Sequence, residues 1–309
     1  MLKVMQTGRT VSGPKPQIPE DGWIHGIEPT QDELKVLHAI GIPDDLLTHI
    51  YDMDERSRVE HKDGVTYLVI RYPWQQKPSD RIPFITVPLN IFILPGSFVT
   101  IEPQRLGLES KLKEVLPTSI PREIKTNVVL DLLLLTASEY LAALDTINHS
   151  VEEAEAKLVR SLRNQEVLLL LNNQKSLVYF TTALNMIQAL LQKLSKDEFL
   201  SWNNETREGV EDALIEIRQA VNQVEIAQDI LTQMMDSFAS IVSNNLNTVM
   251  KFLTAITIIV SVPTLIASIY GMNVPLPGST SPTMFWWLLL ASGAICFAVA
   301  VIFNKMDWL

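Results

Sequence analysis

The chain has 309 residues, a hydrophobic fraction of 47% and a formal net charge of −10. An acidic chain repels nucleic acid and attracts cations, so we expect no nucleic-acid partner. The single cysteine, Cys296, excludes intrachain disulfides and cysteine-cluster metal sites. The sequence has no P-loop, Gly-x-Gly-x-x-Gly, Gly-x-Ser-x-Gly or HExxH pattern, and we therefore expect neither an enzyme nor a resident cofactor.

Residues 1–125 are predicted to form an α/β domain. Runs rich in Val, Ile, Phe and Tyr, bounded by Gly and Pro, predict strands at 22–28, 66–73, 82–94 and 97–102. Two helices are predicted between them, the first opening at Thr30 with a capping-box pattern and the second opening at Ile42. The N-terminal sequence MLKVMQTGRTVSG lacks the apolar segment of a signal peptide, so we expect this domain to lie in the cytosol.

Long helical periodicity follows the predicted sheet. It predicts a cytosolic helical hairpin over 126–204, with its two helices at 127–171 and 172–194. After a polar break at 195–208, a third helical pattern starts near Val210 and meets no Gly or Pro before Pro263. We therefore predict a stalk helix over 205–251 that continues into the membrane as one rod of about 90 Å, at 1.5 Å per residue.

Two segments near the C-terminus, 252–269 and 284–303, contain no charged side chain, and each is long enough to cross a bilayer. A buried helical hairpin of a soluble protein is the less favoured alternative. We predict, in chain order, a first span at 252–270, an extracytoplasmic loop at 271–283, a second span at 284–304 and a cytoplasmic tail at 305–309. Lys251 and Lys305 flank the spans on one side, so the positive-inside rule predicts a multi-pass protein of the cell membrane with both termini in the cytoplasm.

One face of the third helix carries a stripe of polar residues with a period of 3.5 residues, which is typical of helices in a left-handed bundle. We call the part from Asp236 onward the seam; it consists of Asp236, Ser240, Ser243, Asn247, Met250, Thr254, Thr257, Ser261, Thr264 and Ser268. Small hydroxyl residues can serve to pack membrane helices closely. The continuation of the stripe below the bilayer favours a water-filled lumen instead, enclosed by a ring of identical subunits, with Met250 and its neighbour Leu253 as an apolar constriction.

The loop after the first span is neutral, since residues 268–283 contain no Asp, Glu, Lys, Arg or His. A ring of Asn273 amide oxygens, with the backbone carbonyls near Gly271, would offer dipoles rather than full charges to a cation. Such a site suits an ion that keeps its water, and Mg²⁺ dehydrates reluctantly. The alternative is a plain helix C-terminus, in which glycine and asparagine act as caps.

The sequence Tyr270-Gly271-Met272-Asn273, preceded by SNNLNTVMKFLTAITIIVSVPTLIAS, resembles the signature of the CorA family of magnesium transporters. The resemblance implies an α+β membrane protein, a homopentameric funnel with a cytosolic α/β domain, long stalk helices and two C-terminal transmembrane helices. It also implies passive uptake of Mg²⁺, with Co²⁺ and Ni²⁺ as further substrates. By matching position, Gly271, Met272 and Asn273 would form the selectivity filter, Asn247, Met250 and Leu253 would line the inner pore, and Asp236 would form an acidic ring beneath them.

The chain departs from the family pattern at three places. No acidic residue follows the motif in VPLPGSTSPT, and the basic cluster near the C-terminus is reduced to Lys305. The resemblance also implies a regulatory metal site between subunits, with one carboxylate on the long helix. Asp212 is the only candidate for that carboxylate. Thr48-His49 stands where the resemblance implies an acidic pair, so regulatory Mg²⁺ would be sensed weakly or would bind through Asp52, Asp54 or a histidine.

Two other functions remain as alternatives. A zinc transporter of the same superfamily shares the Gly-Met-Asn motif, although the five histidines of this chain are scattered and form no His-x₃-His pattern. A membrane-anchored signalling or scaffold protein would also connect long helices to a two-helix anchor. Such a protein needs neither the polar seam nor a neutral Gly-Met-Asn hairpin.

Overall fold

The computed structural model describes residues 1–6, 9–10, 19–77, 79–160, 164–196, 204–278 and 281–308. The chain divides into two compact units, unit 1 at Met1–Gln233 and unit 2 at Met234–Leu309. Part of the predicted polar break, residues 197–203, and residues 279 and 280 of the predicted loop lie outside the described residues.

Unit 1 is built on a mixed sheet. Within the described residues its strands are β1 Leu2–Val4, β2 Arg9–Thr10, β3 Gly22–Ile27, β4 Arg58–Lys62, β5 Val65–Gln75, β6 Phe84–Ile93 and β7 Ser97–Glu102. They lie in the order β2-β1-β3-β7-β6-β5-β4. The β3–β7 pair is parallel, and the other pairs are antiparallel.

The helices of the described residues are α1 Gln31–Ala39, α2 Asp44–Thr48, α3 Glu109–Val115, α4 Lys125–Arg160, α5 Asn164–Leu194, α6 Asn204–Tyr270 and α7 Met284–Lys305. The predicted capping box of α1 is confirmed. The Thr30 side chain accepts a hydrogen bond from the Glu33 backbone amide, and the Glu33 carboxylate accepts one from the Thr30 amide at 2.8 Å. These reciprocal bonds satisfy two amides that a helix N-terminus leaves free.

The sheet is covered on both faces, so unit 1 has three layers. On one face, alternate strand residues such as Ile24, Tyr67 and Val99 form a buried cluster with side chains of α1 and α2. On the other face, α4 and α5 pack against β5 and β6, with the rings of Tyr140 and Phe180 in edge-to-face contact at 5.0 Å. Both rings are fully buried, and burial of one such side chain stabilises a fold by roughly 1.5–3 kcal/mol.

The helix break predicted between residues 171 and 172 is wrong, because α4 ends at Arg160 and α5 already begins at Asn164. Leu170, Asn173 and Leu177 are all buried, so the core-facing side of α5 continues through the two asparagines. The Asn173 side-chain amide donates to the Ser150 hydroxyl of α4 at 3.1 Å. This bond satisfies a polar group inside the hairpin, where a break would otherwise be expected.

Three strands and one helix of unit 1 do not appear in the sequence-based prediction. β4 reads Arg-Val-Glu-His-Lys, and it pairs with β5 alone at the edge of the sheet. Charged residues are a common protection of edge strands, and they hide the apolar alternation that predicts a strand. β1, β2 and α3 are short and have too few residues for a clear period.

Across the described residues, three helices are long and apolar enough to cross a membrane, at Arg122–Leu158, Thr206–Tyr270 and Met284–Lys305. In the first helix, 56% of the most apolar stretch is buried inside the protein. In each of the other two helices, only 6% of the corresponding stretch is buried. The first is therefore the α4 helix of the core of unit 1. The C-terminal part of α6 and the whole of α7 expose their apolar side chains, as membrane spans do.

Candidate functional site

One face of α6 packs against α7 inside unit 2. Ala255 is completely buried, and Ser292 of α7 is almost so. The Cys296 thiol of α7 donates to the Ile259 carbonyl at 3.4 Å. Ala255, Ile259 and the half-buried Val262 therefore mark the side of α6 that faces α7. Alanine, serine and cysteine are small, and small residues let two membrane helices approach closely.

The seam lies on the other side of the same helix. At 100° per residue, Thr254, Thr257, Ser261, Thr264 and Ser268 are centred about 150° from the side that faces α7. All five side chains are exposed in the single chain. The second helix of the same chain therefore leaves the seam uncovered, and any close neighbour of the seam must be another molecule, lipid or water.

The hydroxyls in the middle of the seam direct their hydrogens back into the helix. Thr257 donates to the Leu253 carbonyl at 2.7 Å, Ser261 to the Thr257 carbonyl at 2.6 Å, and Thr264 to the Val260 carbonyl at 3.0 Å. A hydroxyl that has donated its hydrogen keeps its acceptor lone pairs. The seam therefore presents hydrogen-bond acceptors, which match the outward-pointing hydrogens of water around a cation.

The end of α6 explains why glycine follows Tyr270. The Gly271 amide still donates to the Ala267 carbonyl at 2.9 Å, and a Cβ added at Gly271 would lie 3.2 Å from that same carbonyl oxygen. Gly271 is not among the glycines with positive φ. A left-handed cap therefore does not account for glycine here, and a larger residue would require the last helical turn to shift by a few tenths of an ångström.

Met272 and Asn273 are exposed immediately beyond this turn. From Phe252 to Asn304 the sequence has no Asp, Glu, Lys, Arg or His, so these groups present polarity without charge. The last carbonyls of α6 carry the negative end of the helix dipole toward the same place. The arrangement can attract a cation weakly, through dipoles.

The residues assigned to the inner pore and the acidic ring are also exposed on α6. Met250 and Leu253 are 57% and 63% accessible, as much as apolar neighbours such as Val249 on the same helix. Asn247 and Asp236 are exposed on the same helix. A single chain brings no two of these side chains together across a lumen, because all of them belong to one helix.

The predicted regulatory residues are not assembled into a metal site within one chain. Asp212 is exposed on α6, and the part of the chain that the structure describes has no group of three or more His, Cys, Asp or Glu positioned to hold a metal. In the loop before β4, His49 pairs with Glu55 at 3.2 Å, and the Asp52 carboxylate accepts from the Asp54 amide at 2.9 Å. These loop groups already have partners inside the chain.

A buried polar network in the sheet was not predicted. His25 lies between Thr100 and Glu102, with its ring nitrogens 2.9 Å from the Thr100 hydroxyl and 3.1 Å from the Glu102 carboxylate. The Trp23 indole donates to the same hydroxyl at 2.9 Å, and the Glu102 carboxylate accepts the Leu106 amide at 2.8 Å. The available signal was the alternation of polar residues in GWIHGI and SFVTIE, two strands that are otherwise apolar. The network joins β3, β7 and the loop that leads to α3.

Comparison with known proteins identifies the family. The profile of the family described as CorA-like Mg²⁺ transporter protein matches residues 22–305. The cobalt/magnesium transport protein CorA of Methanocaldococcus jannaschii is 29% identical over 293 residues, which cover 93% of this chain and 91% of the relative. The protein of the same description from Thermotoga maritima is 26% identical over 298 residues, with 93% and 83% covered.

The complete structure of the CorA magnesium transporter from Methanocaldococcus jannaschii matches with a TM-score of 0.80 and 26% identity, over 97% of this chain and 94% of that one. The match covers the sheet, the long helices and the two apolar C-terminal helices together. The family profile covers nearly the whole chain, including the seam and the Gly-Met-Asn motif. The chain therefore belongs to the CorA-like family of Mg²⁺ transporters.

Proposed function

We propose that five copies of this chain enclose a water-filled pathway lined by α6, and that this pathway carries Mg²⁺ passively into the cell. The observation that carries the proposal is the position of the seam on the side of α6 opposite α7. In a ring of subunits, that side can face a common axis while α7 faces the lipid. Polar side chains at membrane depth are tolerated where they line water.

The hydrogen-bond acceptors of the seam support the proposal that the cation moves together with its bound water. The oxygens of Thr257, Ser261 and Thr264 have donated their hydrogens within the helix, so they can accept hydrogen bonds from water bound to the ion. Asn273, with Gly271 and Met272, forms the outer selectivity filter, and it selects a hydrated ion through dipoles. Mg²⁺ fits such a filter because it releases its water reluctantly. Co²⁺ and Ni²⁺ are further substrates of the same pathway.

The inner part of the pathway is narrower and less polar. Met250 and Leu253 form rings that restrict the flow of water, and Asp236 forms an acidic ring that concentrates cations beneath them. Asp212 contributes to a Mg²⁺-sensing contact between neighbouring subunits. Both termini lie in the cytoplasm, with Lys251 and Lys305 at the inner surface of the cell membrane.

Uptake of Mg²⁺ into liposomes by the purified chain tests the proposal. Asn273→Ala removes the amide ring, so the ion loses the dipoles that hold it at the filter. We expect uptake to fall about tenfold or more while the oligomer stays intact; a tenfold fall corresponds to roughly 1.4 kcal/mol. Ser281→Ala is the matched control in the same loop, and we expect it to transport normally. Uptake that is unchanged in Asn273→Ala would overturn the filter assignment.

The same liposomes separate this proposal from a zinc transporter. Mg²⁺ uptake is expected without a proton gradient, and Co²⁺ and Ni²⁺ are expected to compete with it. Zn²⁺ uptake that depends on a proton gradient, with no Mg²⁺ uptake, would assign the chain to zinc transport. A chain that admits none of these ions would support an anchor without transport.

A further inference from the structure

A cavity of about 350 Å³ lies in unit 1. Its walls come from β5, the start of β6, the segment before α3, α3 itself and α4. Side chains that matter for its chemistry are Tyr72, Trp74, Phe84, Lys111, Glu139 and Thr146. Ligand sites commonly occupy 300–1,000 Å³, so this cavity suits a small molecule of about one ring.

The charges of the cavity are balanced. Among the described residues that line it, Lys111 and Glu139 are the only charged ones. They form an ion pair in which 44% of the Lys111 side chain and 21% of the Glu139 side chain remain accessible. One accessible ammonium group can bind one anionic group of a ligand, whereas a lone carboxylate cannot hold a metal ion well.

A buried hydroxyl in the wall lacks a hydrogen bond of full geometry. The Tyr72 phenol oxygen is inaccessible to solvent, and the acceptor within its reach is the Glu139 carboxylate, which already pairs with the Lys111 ammonium. Burial raises the pKa of Tyr72 well above its usual range, and the nearby Glu139 carboxylate raises it further. The phenol therefore stays protonated, and it lies close to a carboxylate that is occupied by Lys111. Buried donors without a well-formed hydrogen bond are rare, and each one calls for a structural explanation.

We propose that this cavity binds a small organic monocarboxylate with a flat apolar body. The ligand carboxylate accepts hydrogen bonds from the Lys111 ammonium and takes the place of Glu139. The Glu139 side chain, once released, accepts the hydrogen of the Tyr72 hydroxyl. The apolar body of the ligand lies against Trp74 and Phe84, which supply an aromatic wall.

The chemistry of the cavity favours a monocarboxylate over other ligands. A phosphate ester carries two negative charges and would meet one cation. A divalent metal would meet one carboxylate, already paired. A neutral ring would gain the apolar wall but would leave the Tyr72 donor unsatisfied. The site would connect the sheet to α4 and the segment before α3, and it depends on neither the pore nor its selectivity.

Calorimetric titration of the full chain in detergent with benzoate tests this proposal, with benzyl alcohol as a neutral probe of the same ring size. We expect benzoate to bind about tenfold more tightly than benzyl alcohol, since hydrogen bonds to charged groups exceed neutral ones. Lys111→Met should weaken benzoate binding about tenfold and leave benzyl alcohol unchanged. Lys113→Met is the matched control, because Lys113 lies on the same helix but pairs with Glu109 at 2.8 Å, outside the cavity.

Tyr72→Phe tests the second part of the proposal with a change of one oxygen atom. We expect it to weaken benzoate binding by roughly threefold to tenfold, because the released Glu139 then has no donor. Circular dichroism and the elution volume of the oligomer show whether each variant is folded. Equal affinities for benzoate and benzyl alcohol, absence of benzoate binding, or identical behaviour of Lys111→Met and Lys113→Met would overturn the proposal.

Discussion

Asp307 adopts a backbone conformation that usually favours glycine. Its φ is 57°, and it follows the last turn of α7. The Trp308 amide donates to the Phe303 carbonyl at 3.0 Å, and the two aromatic rings stack at 5.3 Å. These contacts form a Schellman motif with its hydrophobic contact, in which Asp307 occupies the left-handed position. The motif ends the second span at a defined residue.

This geometry predicts the effect of changes at Asp307. Asp307→Gly should stabilise the helix end, since a left-handed residue with a side chain costs about 1 kcal/mol relative to glycine. Asp307→Ala should weaken it, because alanine tolerates this conformation less well than aspartate. Hydrogen exchange of the C-terminal peptide, followed by mass spectrometry, should be slowest in the glycine variant and fastest in the alanine variant. Equal exchange in all three proteins would contradict the assigned cap.

Glu109 makes part of the stability of unit 1 dependent on pH. Hydrogen bonds from Lys113 and then Lys3 lower the pKa of Glu109 to about 2, from an ordinary value of 4.5. The two ion pairs span 2.8 Å and 3.0 Å. Because the folded pKa is the lower one, the stabilisation is complete above pH 4.5 and is lost as the pH falls from 4.5 toward 2.

Glu109→Gln should therefore lower stability by about 1 kcal/mol near neutral pH, the value for partly exposed pairs, and by progressively less on acidification. Thermal melting of the full chain in detergent at pH 7, 5 and 3 measures the difference. Glu114→Gln, at an exposed position of the same helix, is the control and should follow the unmodified protein. A difference that stays constant across this pH range would contradict the ion-pair explanation.

At the scale of elements, the sides of α6 within unit 2 differ in how far they are buried. Ala255 is fully buried on the side of α6 that contacts α7 through Ile259, whereas Val260, five residues later, is 62% exposed. Ala255→Leu adds volume where none is available, and overpacking typically costs about 1–3 kcal/mol. We expect this variant to melt at a lower temperature in detergent. Val260→Leu adds apolar volume at an exposed position and should melt as the unmodified protein does. Equal melting of the two variants would contradict the assigned α6–α7 contact.

The sequence predicts those elements whose periodicity is long and undisturbed. The central strands and the apolar helices follow from such patterns, and the capping box at Thr30 indicates the start of α1. The break inside the helical hairpin does not follow, because Asn173 reads as a breaker in sequence but is satisfied by Ser150 in three dimensions. His25 and Glu102 likewise depend on a parallel pairing of strands that lie far apart in the chain.

The candidate site is predictable to the extent that it lies on one helix. Its polar stripe and the Gly-Met-Asn motif are local patterns, so they can be read directly from the residues. The side of α6 that α7 covers is different, since it depends on how α7 packs in three dimensions, with Cys296 against Ile259. In the proposed oligomer, the partners of Asp212 and of Met250 would lie on neighbouring subunits, which a single chain does not contain.

At the scale of the whole molecule, charge and apolar surface are separated along the chain. Lys305 and Asp307 are the only charged residues after Lys251, so the excess of acidic residues belongs to the part before the first span. An acidic surface raises the local concentration of cations, and salt reduces this effect. The membrane part instead offers dipoles and hydroxyl acceptors. In the proposed pathway, cation attraction and cation selection would thus belong to different regions of the chain.

The central claim is that the seam lines a water-filled pathway, and cysteine accessibility along α6 tests it most directly. Cys296 is first replaced by alanine, which leaves a chain without cysteine. Cysteines are then introduced singly at Thr254, Thr257, Ser261 and Thr264, and at Ala255 and Val262, on the side that faces α7, as controls. A charged, membrane-impermeant thiol reagent should modify the four seam positions and block Mg²⁺ uptake into liposomes, while both controls stay unmodified. Absence of reaction at the seam, or equal reaction at all six positions, would contradict the account.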